Sequence, residues 1–119
     1  MATFTRVVLS GAADGKAVKV AATATAGTTV HTAHASAYDE LWLWAVNAHT
    51  ADVLLTLEFG GTTSPDNLIR VTIPTSLANP APGLVAVVPG FILTNSLVVR
   101  AFAGTANVIT LYGYANQIA

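Results

Sequence analysis

Cysteine is absent from this chain, which excludes disulfides and thiolate metal sites. Charge is scarce too. Five Lys or Arg and six Asp or Glu make up 9% of the 119 residues, where about 25% is usual. The basic residues stand singly at Arg6, Lys16, Lys19, Arg70 and Arg100, and the net charge is −1 with a pI near 6.2. No basic stripe exists to meet phosphates, so no nucleic-acid partner is expected. Long apolar runs are missing as well. The longest, Gly83 to Leu93 (GLVAVVPGFIL), is interrupted by Pro89-Gly90 and is far shorter than a membrane helix. The aromatic girdles and tall strands of an outer-membrane barrel are also missing, so no membrane partner is expected. The start, MATFTRVVLSG, has one basic residue and an apolar run of three, too short for a secretion signal.

What is present is apolar: 53% of the residues are hydrophobic. A chain of 12.2 kDa has room for one domain and one core, and its folded monomer would expose roughly 6,000 Å². With so few charges, that surface must be neutral polar or apolar. Soluble monomers seldom leave large apolar patches in water. Burial of part of the surface against partner chains is therefore expected, and a lightly charged monomer is the alternative.

Short runs of β-branched residues and alanine alternate with turn formers. They cover Thr3–Ser10, Lys16–Thr23, Thr29–Ser36, Leu41–Ala48, Val53–Phe59, Asn67–Ile73, Leu84–Val88, Phe91–Thr94, Leu97–Ala103 and Asn107–Ala115. Gly11–Gly15, His49–Asp52, Gly60–Asn67, Pro74–Gly83, Pro89-Gly90, Asn95-Ser96 and Gly104–Ala106 are the turns and loops. About eight or nine short strands and no helix predict an all-β fold: a single-domain antiparallel β-sandwich, jelly-roll-like, over residues 1–119. In Val53–Phe59 the residues Val53, Leu55, Leu57 and Phe59 share one face. Thr56 and Glu58 share the other, a half-buried pattern with a polar outer side. In LWLWAV (Leu41–Val46) both faces are apolar, Trp42, Trp44 and Val46 against Leu41, Leu43 and Ala45. Leu84–Val88 likewise has no polar face. A strand without a polar side needs a loop or a partner over it.

No group of residues forms a convincing reaction centre. His31 and His34 fall three apart, on opposite sides of a regular strand, and read as surface histidines near a strand end. Asp39 and Glu40 diverge for the same reason, and the six acids are read as loop and edge positions. None of the serines sits in a nucleophile elbow, and GGTTSPD lacks the lysine of a phosphate loop. No catalytic residue, cofactor or metal site is expected. Trp42 with Trp44, and Tyr112 with Tyr114, each share a strand face. Such pairs pack a core, anchor a protein interface or stack on sugars. Those four and Leu77, in the proline-bearing loop, are the candidate interface residues. Gly60–Asn67 and Pro74–Gly83 are the loops expected to meet partners.

Across nearly its full length the chain resembles the small capsid decoration, or cement, proteins of tailed bacteriophages. The resemblance rests on MATFTRVVLSG, on DELWLWAVNAHTADVLLTLEFGGTTSPDNLI and on the ending VVRAFAGTANVITLYGYANQIA. It implies a jelly-roll-like fold and a virion structural protein, made in the host cytoplasm, that binds the capsid exterior. Its partners would be the major capsid protein and its own copies, as a dimer or trimer. Two other functions stay open: a carbohydrate-binding module of a head fibre or tail, and a self-assembling structural module unrelated to viruses.

Overall fold

The computed structural model describes residues 3–78 and 83–119. Nine strands form: β1 (Phe4–Val8), β2 (Val18–Lys19), β3 (Thr28–Thr32), β4 (Tyr38–Asn47), β5 (Val53–Phe59), β6 (Leu68–Ile73), β7 (Leu84–Leu93), β8 (Val98–Ala103) and β9 (Ile109–Ile118). They pair antiparallel in two sheets. One has the order β1-β9-β4-β7, with β2 extending the β1 side of β9; the other has the order β3-β8-β5-β6. Consecutive strands repeatedly cross from one sheet to the other, which is the interleaving of a jelly roll. The accessible surface, 6178 Å², matches the area expected of one compact monomer of this mass.

The core follows from alternation. Leu41, Leu43 and Ala45 on β4 point inward with Leu111 and Ala115 on β9, and meet Val53, Leu55, Leu57, Val99 and Ala101 from the opposite sheet. Between β9 and β4 the backbones approach so closely that a Cβ at Gly113 would stand 1.9 Å from the Trp42 carbonyl oxygen. Only glycine fits that position.

Four expectations change in the folded chain. Pro89-Gly90 does not end a strand: β7 runs unbroken from Leu84 to Leu93. It lies at a sheet edge and beside a bulge, the places where a sheet tolerates proline. Extra residues bulge out at Val87 and Gly90, where the register with β4 shifts, and Gly90 takes a φ of +83°. Second, His31 is no surface histidine. Val30 is an extra residue in the β3–β8 ladder, so Val30 and His31 both turn inward. Third, the Thr56–Glu58 side of β5 does not face water; both residues are buried. The segment Ala22–Gly27 folds back over it. Glu58 accepts from the Thr25 hydroxyl (2.5 Å) and from the Gly27 N–H (2.6 Å), one bond on each carboxylate oxygen. Fourth, the acids are not all at loops and edges, because Asp39 and Glu58 are both fully buried.

Candidate functional site

Two groupings of polar or aromatic side chains stand out, one inside the sandwich and one on its surface. Inside, His31 Nδ1 accepts the Ser10 N–H (3.0 Å), so that nitrogen is bare and the ring proton sits on Nε2. Nε2–H donates to Asp39 Oδ2 at 2.6 Å, and the His34 N–H reaches the same oxygen at 3.3 Å. The trio has the composition of a serine hydrolase triad but not its wiring. Ser10 meets the imidazole through its main chain, while its hydroxyl accepts from the Thr32 N–H (2.6 Å). No cleft opens among the described residues. The grouping clips β3 of one sheet to β4 of the other and to the chain after β1. His34 is exposed, and its Nδ1 accepts from the N–H groups of Ser36 and Ala37 (3.1 and 3.0 Å), fixing the turn before β4. The described residues hold no cluster of three or more potential metal ligands.

On the surface, the outer face of the β1-β9-β4-β7 sheet gathers all four aromatics singled out in the sequence. Register explains it. Trp42 pairs with Tyr114 and Trp44 with Tyr112 across β4 and β9, so two pairs far apart in sequence become one cluster. The Trp42 and Trp44 rings lie 6.3 Å apart, near-parallel at 18°. Trp44 and Tyr114 centroids are 6.1 Å apart, and the Arg6 guanidinium lies 4.6 Å from the Tyr114 centroid, within cation–π range. The two tryptophans and Tyr114 are half-buried, and Tyr112 is exposed. Phe4 and Val8 on β1, Tyr38 on β4, and Leu84 and Ile92 on β7 extend this face, each more than half exposed. Trp42 in turn covers the Gly90 bulge, where a Cβ would come within 2.8 Å of its ring.

Beside Trp42 and Tyr114 two opposite charges are joined by an amide. Arg6 Nε donates to Asn116 Oδ1 (3.1 Å), and Asn116 Nδ2 donates to Glu40 Oε1 (3.2 Å). The Trp42 indole N–H donates to the same Glu40 oxygen at 2.8 Å. These bonds, that from Trp42 first and that from Asn116 second, lower the Glu40 pKa below its ordinary value. Arg6, Asn116 and Glu40 were not candidate interface residues from sequence. Asp39 and Glu40 do diverge, the first into the core and the second onto this face.

Leu77 lies apart from the aromatics. It follows β6 at an end of the sandwich, 62% exposed, where the Ser76 N–H donates to the Asn47 carbonyl (2.9 Å) and the Leu77 N–H to Thr75 Oγ1 (3.1 Å). Of the two loops expected to meet partners, Gly60–Asn67 is described throughout, whereas residues 79–82 of Pro74–Gly83 lie outside the described residues. No protein-family model, curated protein or solved structure matches this chain.

Proposed function

We propose that this chain is a non-enzymatic structural subunit that works by binding other proteins, as a decoration protein on the outside of a tailed-phage head. The observation that carries the protein-binding part is the uncovered aromatic face of the β1-β9-β4-β7 sheet. Hydrophobic and aromatic side chains span all four strands of it, and few charges interrupt them. The phage part rests on the resemblance and on the jelly-roll order of the strands, an architecture used by viral coats but also by lectins and cupins. In this reading the subunit bridges neighbouring major capsid proteins and resists internal pressure. The end of the sandwich carrying Leu77 meets the shell. Binding to neighbours adds to the stability of the folded state by mass action.

The test is co-sedimentation of the purified protein with tailed-phage heads stripped of their decoration. The expected result is saturable binding, weakened at least about tenfold by Leu77→Asp. That variant should keep the wild-type circular dichroism and melting curve, since Leu77 packs on nothing in the core. Absence of sedimentation with heads would overturn the decoration reading; unchanged binding by Leu77→Asp would remove that end from the contact. A second reading is favoured by one feature. Arg6, Asn116 and Glu40 converge beside Trp42, the combination of polar groups and aromatic surface that binds sugars. Glycan binding lost on Trp44→Ala would move the function to a carbohydrate-binding module. If neither heads nor glycans bind, a self-assembling module unrelated to viruses is left.

A further inference from the structure

We infer that the aromatic face of the β1-β9-β4-β7 sheet is occupied by the same face of a second copy, related by a twofold axis running along β9. This rests on the reading of that face as a protein contact and assigns its occupant.

The argument comes from register. Strands β1 and β4 flank β9 on either side, and their outward residues fall in shared rows. Phe4 and Tyr38 both pair with Ile118; Arg6 and Glu40 both pair with Asn116; Val8 and Trp42 both pair with Tyr114. A twofold axis along β9 turns a second face onto the first and exchanges the two flanks, so β1 of each copy lies over β4 of the other. Each of these three rows is then complementary. Arg6 meets the other copy's Glu40, Val8 meets Trp42, and Phe4 meets Tyr38. No like charges face each other, as an isologous contact between charged faces requires. The groups left over inside one copy fit this. Glu40 uses only Oε1 in its hydrogen bonds, and Arg6 uses only Nε, so Oε2 and both Nη groups have no partner among the described residues.

Size and shape agree. Strands β9 and β4, ten residues each, and β1, five residues, outline about 400 Å² per copy at about 3.3 Å per residue and about 4.8 Å between strands. The relief of the aromatic side chains lifts the accessible area towards the roughly 600 Å² per partner at which specific interfaces begin. Face-to-face sheets of this twist align within about 30°, so the best contact falls on the central rows at Asn116 and Tyr114. Pairing through the β7 edge is disfavoured, because Pro89 and the bulges at Val87 and Gly90 break the ladder that a second strand would need.

The test uses charge reversal and the natural absence of cysteine. Wild-type protein is expected to sediment at about 24 kDa, twice the 12.2 kDa of the chain. Arg6→Glu and Glu40→Arg each bring like charges together in a homodimer and should weaken it about tenfold or more. Mixed in equal amounts, the two variants restore both attractive pairs and should form a heterodimer of near wild-type affinity. Damage within one subunit would not be repaired by mixing, so the rescue reports the interface. As an independent readout, Asn116→Cys on the axis should be captured as a covalent dimer by a short bismaleimide. Thr72→Cys, exposed on the other sheet, should not. A monomer at all accessible concentrations, homodimers indifferent to either charge reversal, absent rescue between folded variants, or equal crosslinking at both cysteines would each overturn the inference. A dimer that ignores phage heads leaves it standing and removes the decoration reading. A monomer that binds heads does the reverse.

Discussion

The two outer faces of the sandwich are built by the same alternation and end up opposite in character. On the β3-β8-β5-β6 sheet the chain covers part of its own surface. Ala22–Gly27 lies over β5 and gives Glu58 two hydrogen-bond donors, so an ionisable side chain rests fully buried. On the β1-β9-β4-β7 sheet no segment among the described residues crosses the aromatics, and Phe4, Val8, Tyr38 and Tyr112 stay exposed. The polar stretch Thr56–Glu58 of β5 is closed and the aromatic face is open. A carboxylate can be covered by a short loop because two directed bonds satisfy it. A four-strand aromatic surface needs a partner of comparable area, and a six-residue loop cannot supply one.

This contrast can be broken or sharpened in graded steps. The largest effect lies beneath both faces. Leu43→Ala opens a cavity at a fully buried site and should lower unfolding free energy by about 2–5 kcal/mol in denaturant titration, whatever the assembly state. Next is the closed face. Glu58→Ala strands the Gly27 N–H and the Thr25 hydroxyl, an expected loss of about 1–3 kcal/mol. Hydrogen exchange should then speed up at Gly27, and unchanged exchange would mean that the carboxylate does not hold the covering segment. On the open face the same size of change should cost the monomer little. Tyr112→Ser is expected to shift unfolding free energy by only about 0.5 kcal/mol, while weakening assembly in sedimentation. A loss as large as that of Glu58→Ala would erase the contrast.

The smallest effect is pH-dependent. The bonds from Trp42 and Asn116 lower the Glu40 pKa in the folded chain. Their contribution is therefore fully present above the ordinary carboxylate pKa and is lost as pH falls through the lowered folded value. Glu40→Gln, which does not titrate, should flatten that part of the stability-against-pH curve. Because Glu40 is solvent-accessible, the change is slight; an equal slope in wild type and variant would show that these bonds do not hold in solution.

Much of the fold is legible in the sequence. Period-two alternation separates Leu41, Leu43 and Ala45 from Trp42, Trp44 and Val46 but leaves open which set turns inward, whereas β5 is bounded correctly at Val53 and Phe59. The failures share one cause. His31 reads as a surface residue near a strand end, yet Val30 is an extra residue in the ladder and both side chains turn inward. Pro89-Gly90 reads as a break, yet an edge strand tolerates both residues at a bulge. Glu58 reads as solvent-facing, because nothing local reveals that residues 22–27 return across it.

For the candidate site the division is similar. Trp42 with Trp44, and Tyr112 with Tyr114, were recognisable as same-face pairs on their own strands. Their merger into one cluster, and the recruitment of Arg6, Asn116 and Glu40, depend on β9 lying between β1 and β4. By itself the sequence determined an all-β sandwich with a light charge and apolar strand faces, because alternation and turn chemistry act over a few neighbouring residues. Which faces are closed, and which residues share a row, only the tertiary structure decided. Strand order and register are set by contacts between residues far apart in sequence, such as Arg6 and Asn116, 110 positions apart.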